Sequence, residues 1–201
     1  MSRAHLHRRP LLAAIALAPL AACQSVPNQP PPENTAEINR VQAYLNGIET
    51  LQARFVQIWP NGTTSKGTLW MDRPGRLRLQ YAPPTPLTLV AAQGTLLIYN
   101  TSNQGTTTMP LARTPLSMLL APTIDLSGPV TVTNVQNTPG SLALTLVRSD
   151  APRQGSLTLA FSRTPLTLRS IRLVDAEAHV TDLTLLALYP NVPVSASLFQ
   201  L

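Results

Sequence analysis

The spacing of hydrophobic positions changes twice along the chain. Leu11 to Leu20 is an uncharged run of ten residues. Further on, Ile38, Val41, Leu45 and Ile48 recur at three- and four-residue steps, with Tyr44 beside them. That is one apolar stripe on a helix. Asn34 and Glu37 supply a capping box at its start, and Asn46-Gly47 its stop. From Leu51 onward the period is two. Arg76 to Tyr81, Leu142 to Leu146 and Leu157 to Phe161 alternate cleanly, and Leu166, Leu168, Ile171 and Leu173 continue the pattern.

Turn signals separate these runs: Asn61-Gly62, Pro74-Gly75, Pro83-Pro84, Gln93-Gly94, Gln104-Gly105, Pro139-Gly140 and Gln154-Gly155. Short strands so spaced predict consecutive antiparallel strands, about eleven of them, in a mainly β sheet long enough to curl. One further helix is predicted over Thr114–Leu120, with Pro115 in its first turn. Three segments break the alternation: Leu69-Trp70-Met71, Leu96 to Tyr99, and Leu183 to Leu188. Both sheet faces are apolar there, whereas antiparallel sheets commonly keep one face wet. Two helices cannot cover eleven strands, so either a second layer exists or part of the inner face lines a cavity.

Composition narrows the chemistry. Of 201 residues, 12% are charged and 4% aromatic, against 44% hydrophobic, so the core is aliphatic. Twenty prolines and nine glycines argue against long helices and glycine linkers. A single cysteine excludes an intrachain disulfide, and three histidines leave little material for metal or acid–base work. The net charge of +6 includes Arg3, Arg8 and Arg9; without them 12 basic residues face 9 acidic ones. No basic stripe with interleaved aromatics is present, which speaks against nucleic acid.

Residues 1–22 read as an export signal: a positive n-region, then an apolar run too short for a bilayer span of roughly 20 residues. It closes with Leu20-Ala21-Ala22-Cys23, which resembles the lipobox of bacterial lipoproteins and implies lipidation of Cys23. A plain secretory signal cut after Ala22 would leave a free thiol instead. Arg8-Arg9 also invites a twin-arginine reading, against which Pro10 counts. Gln24 lacks the aspartate that retains lipoproteins at the inner membrane in some species, which points to the outer membrane; a soluble periplasmic protein is the alternative. Residues 23–33 are polar and proline-rich, a tether that at about 3.1 Å per residue reaches roughly 30 Å. The folded domain is expected over 34–201.

The segment Leu51 to Gln57, then Gly67-Thr68-Leu69-Trp70-Met71-Asp72-Arg73-Pro74, resembles the LolA family of periplasmic lipoprotein carriers. Those have an F-x-Q strand after the first helix and then a G-x-L-W…R-P hairpin. Gln93 to Asn100 and Thr114-Pro115-Leu116 match the family's next strand pair and its helical T-P segment. The resemblance implies an incomplete antiparallel barrel with helices as a lid over a hydrophobic cavity. It implies a monomeric, non-enzymatic carrier without cofactor, taking lipoprotein acyl chains from an inner-membrane release complex. Arg73 matches the arginine that holds the lid through backbone carbonyls. Leu77 and Leu97 stand where relatives often carry aromatics.

Phe55, Trp70, Leu79 and Tyr99 read as core or as cavity wall; Leu77, Leu97, Leu116 and Leu119 complete the candidates for the acyl-chain cavity. Trp59 reads as strand-end packing, the methionines as gap fillers, and His179 as a surface residue at a hairpin. No G-x-S-x-G turn, phosphate loop or H-E-x-x-H occurs. The lipobox also fits a membrane-anchored acceptor of the related LolB type. A lipid-binding envelope scaffold that carries nothing is the third reading.

Overall fold

Eleven antiparallel strands form one continuous sheet in the computed structural model, which describes residues 32–59 and 61–200. The signal-like segment, Cys23 and the tether up to residue 31 lie outside the described residues. After helix α1 (Pro32–Asn46) come β1 (Thr50–Ile58), β2 (Thr64–Asp72), β3 (Arg76–Tyr81), β4 (Leu87–Ala92), β5 (Thr95–Asn100) and β6 (Gly105–Pro110). A crossing segment holds the short helix α2 (Leu116–Leu119). Then follow β7 (Val130–Asn137), β8 (Ser141–Arg148), β9 (Ser156–Arg163), β10 (Leu166–Val174) and β11 (Val180–Pro190). The spatial order is β6-β5-β4-β3-β2-β1-β11-β10-β9-β8-β7. Two hairpin meanders thus meet along the β1–β11 seam, and the sheet is not closed into a barrel: β6 and β7 are its edges.

Local chemistry explains the elements. Gln93 and Gly94 both adopt positive φ, 51° and 75°, which suits the two-residue turn between β4 and β5. Helix α1 begins at Pro32, two residues before the expected Asn34, and stops at Asn46 as the Asn-Gly signal predicts. Ile38, Val41 and Leu45 of the helix, with Ile48 just beyond its end, are buried in the core, to which β8 and β9 contribute Leu142, Leu144, Leu157 and Leu159. The Tyr44 ring meets the edge of Phe161 at 5.7 Å, and its hydroxyl accepts a hydrogen bond from the Leu168 N–H. That amide lies beside a bulge in β10, where the ladder to β9 is interrupted.

One broken alternation has a local cause, and part of the outer face has a cover. In β11 a bulge opposite Arg54/Phe55 leaves Leu186 as an extra residue, exposed on the outer face between inward Leu185 and outward Ala187. Over β3 and β4 a partial second layer does exist. The chain after β11 turns back as a 3-10 turn, Ala196–Phe199, lying against those strands. The Arg78 Nη1 donates to the carbonyls of Leu198 and Gln200, and the Arg76 guanidinium sits 5.7 Å from the centre of the Phe199 ring. Burial lowers the Arg78 pKa from its ordinary value.

Gly67 pairs directly with Phe55 across β1 and β2. A Cβ at Gly67 would lie 2.4 Å from the Gln80 carbonyl oxygen and 2.5 Å from the Phe55 ring. Gly67→Ala is therefore expected to destabilise the fold by about 1–3 kcal/mol through overpacking. Urea unfolding measures it, and a midpoint equal to the parent's would refute the close approach.

Candidate functional site: an apolar cleft and an arginine latch

The inner face divides into a filled half and an open half. Beneath α1 the side chains of Leu45, Ile48, Leu77, Leu119, Leu168 and Ile171 leave a void of only about 10 Å³. A void of that size is at the lower limit for holding one water.

Arg73, in the β2–β3 turn, closes this half. Its Nε donates to the Ile48 carbonyl at 2.9 Å, and its Nη2 donates to the carbonyls of Leu45 (2.7 Å) and Ile48 (2.6 Å). These are carbonyls at and just beyond the C-terminal end of α1, which lack partners inside the helix. The planar guanidinium fork suits several acceptors at once. Its Nη1 is buried without a partner among the described residues. Burial lowers the Arg73 pKa, partly offset by the Glu49 carboxylate. The same turn is fixed from the other side, where the Gly75 N–H donates to the Leu120 carbonyl at 2.9 Å. Asn46 completes the latch by exchanging two hydrogen bonds with the backbone of Ile124.

Beyond the helix the inner face of the sheet is only partly covered. The strands β3 to β6 form one wall and β10 to β11 the other, around a cleft of about 810 Å³. Such a volume lies within the range of small-molecule sites, about 300–1,000 Å³. Leu79, Leu89, Ile98 and Met109 face Leu173 and Leu183 across it. Pro115 and Leu116 form its roof. That roof is pinned by Arg148, whose Nη1 donates to the Ala112 carbonyl, and by Gly155, where a Cβ would lie 3.0 Å from Pro115. Arg113, Gln154, Asp175 and Glu177 also line the cleft, as do Thr108, Thr114 and Thr181. Asp175, Glu177 and His179 lie close together in the β10–β11 turn, with the Asp175 carboxylate accepting from the backbone N–H of Glu177 and His179.

The sequence-derived cavity residues divide accordingly. Leu79 and Leu116 line the cleft; Leu77 and Leu119 line the small void. Phe55 is buried in the core against Tyr81, ring centres 5.2 Å apart. Trp70, Leu97 and Tyr99 alternate with inward Leu69, Leu96 and Ile98, and so stand on the outer face, away from the cavity expected for them. Trp59 packs on Tyr81 at 5.9 Å, as a strand-end residue should. Nothing in the motifs singles out Tyr81, Leu89, Ile98, Met109, Leu173 or Leu183. Counting by twos from Leu79 reaches Tyr81, and the register to β4 and β5 reaches the next two.

Tyr81 also explains the glutamine of the F-x-Q strand. The buried Gln57 side chain accepts a hydrogen bond from the Tyr81 hydroxyl. Burial pushes the Tyr81 pKa up to about 12. Folding favours the neutral phenol, so this contribution is fully present below pH 10 and is lost as pH rises toward 12. The loss is on the order of 2–3 kcal/mol. The parent is expected to lose stability relative to Tyr81→Phe as pH rises from 10 toward 12, measured by unfolding free energies; parallel pH profiles would refute the shift.

The family model described as outer membrane lipoprotein carrier protein LolA matches residues 46–201. No curated protein matches the chain significantly. Similar solved structures include an uncharacterized conserved protein from Thermus thermophilus, with 12% identity and TM-score 0.47, covering 83% of this chain and 94% of that one. MucB in complex with MucA(peri) shows 17% identity and TM-score 0.41, over 83% of this chain and 59% of that one. A LolA superfamily protein from Nitrosomonas europaea shows 9% identity and TM-score 0.45, over 81% of this chain and 96% of that one. On the family match over most of its length, this chain belongs to the LolA family.

Proposed function

We propose that this protein is a non-enzymatic periplasmic carrier whose cleft takes the acyl chains of lipoproteins on their way to the outer membrane. The observation that carries this reading is the cleft of about 810 Å³, with aliphatic side chains contributed by both wings of the sheet. A flexible hydrocarbon chain asks for volume and dryness and no hydrogen-bond geometry. Each buried CH₂ contributes about 0.8 kcal/mol, so a carrier in water must offset a large loss from the membrane. Family membership supports the same reading. Among the described residues no helix is long and apolar enough to cross a membrane.

Arg73 acts as the latch between the two halves of the inner face. With it bound to the end of α1, the space beneath the helix stays filled; releasing those carbonyls lets the helix move and extends the cleft inward. The lipobox-like Leu20 to Cys23 favours a protein working from the membrane, as an anchored acceptor or a combined carrier and acceptor. A donor such as an inner-membrane release complex would load it.

Three outcomes test this. Ile98→Glu places a charge on a half-buried wall position and is expected to weaken capture of a fluorescent fatty-acyl probe by about tenfold or more; unchanged capture would remove the cleft as the binding site. Arg73→Leu is expected to leave the domain folded and to slow lipoprotein transfer by about tenfold, the equivalent of one charge-assisted hydrogen bond. Equal transfer rates would remove Arg73 from the mechanism. Cys23→Ala is expected to abolish palmitate labelling and release the protein from membranes, and a parent that never labels would overturn the anchor.

A further inference from the structure

We propose that the outer face of the central strands is a docking surface for an anionic lipid bilayer. Four large hydrophobic side chains are exposed among the described residues: Ile58 (55%), Val180 (37%), Leu186 (54%) and Tyr189 (54%). All four lie on β1 and β11, the two strands of the seam. Ile58 pairs with outward Asp182, and Tyr189 pairs with outward Gln52, beyond which stands Trp70. Leu186 is the bulged residue beside Arg54 and Ala187. From Val180 to Tyr189 the stripe runs about 30 Å at the rise of a strand.

Cations flank it. Arg54 and Lys66 are exposed and form no ion pair among the described residues. Exposed Arg169 and Arg172 stand on the neighbouring strand, Arg172 paired with Asp182. The other acid on this face, Asp72, is paired with Arg76. The surface is therefore net positive, with apolar residues set between the charges. A protein interface gathers its apolar residues at a core depleted of lysine. Interleaved cations, aliphatics and aromatic rings instead suit the boundary between headgroups and acyl chains. Each lysine or arginine near an anionic surface contributes about fivefold in binding. The cleft lies on the reverse side of the sheet, so a protein seated this way keeps its cleft unobstructed.

Vesicle flotation tests the proposal, using residues 24–201, which hold every described core residue and lack Cys23. Phosphatidylcholine vesicles with phosphatidylglycerol are expected to retain the protein, pure phosphatidylcholine to retain far less, and salt to weaken retention. Arg54→Gln with Lys66→Gln is expected to lower binding about twenty-five-fold. Leu186→Ser with Tyr189→Ser lowers it without changing its salt dependence, and Arg153→Gln, away from this face, leaves it close to the parent's. Fatty-acyl capture by the cleft is expected to be the same in all of these, which separates this surface from the carrier reading. Binding that ignores phosphatidylglycerol, or outer-face variants that bind like the parent, would overturn the proposal. So would variants that lose a protein partner while keeping vesicle binding.

Discussion

The β1–β11 seam is the constraint on which the rest depends. It pairs residues 51–58 with 182–190 and is the contact that turns two hairpin meanders into one sheet. Its end is tied to the helix as well. The Asn191 side chain donates to the Gly47 carbonyl at 2.8 Å and accepts from the Glu49 N–H at 2.9 Å. Those residues adjoin the carbonyls that Arg73 holds. The end of α1, the β2–β3 turn and the exit of β11 therefore meet in one hydrogen-bonded knot, and loosening any of them loosens the others.

The division of the inner face follows from helix length. A helix over Pro32–Asn46 spans about 22 Å at 1.5 Å per residue, too little to cover eleven strands about 4.8 Å apart. Where it lies, aliphatic side chains from helix and sheet pack together and leave almost no space. Where it stops, the wing of β3 to β6 faces β10 and β11 across open volume. Arg73 sits at that boundary, buried enough to be desolvated, with one nitrogen left without a partner among the described residues.

Much of this is legible in the sequence. Period-two spacing and turn dipeptides mark the strands, the stripe from Ile38 to Ile48 marks the helix, and the R-P turn singles out Arg73. The cavity wall is less legible. Trp70, Leu97 and Tyr99 are apolar residues in strong strands, but which face a residue takes depends on register and bulges, and those are tertiary facts. The bulge at Leu186 shifts parity within β11; the sequence shows the break in alternation over Leu183 to Leu188 but not which partner residues absorb it. The path of the chain beyond Pro190 is equally hidden, since Phe199 is buried by contact with strands far away in the sequence.

The seam also has a consequence in time. Its second strand is made from residues 180–190, with nine other strands emerging between it and the first. While those are being synthesised β1 has no neighbour on that side, and the two meanders cannot join. Contacts this distant along the chain form late and slowly. A polypeptide that waits so long for one pairing stays threadable while it is being made, a condition suited to passage through a narrow channel ahead of folding.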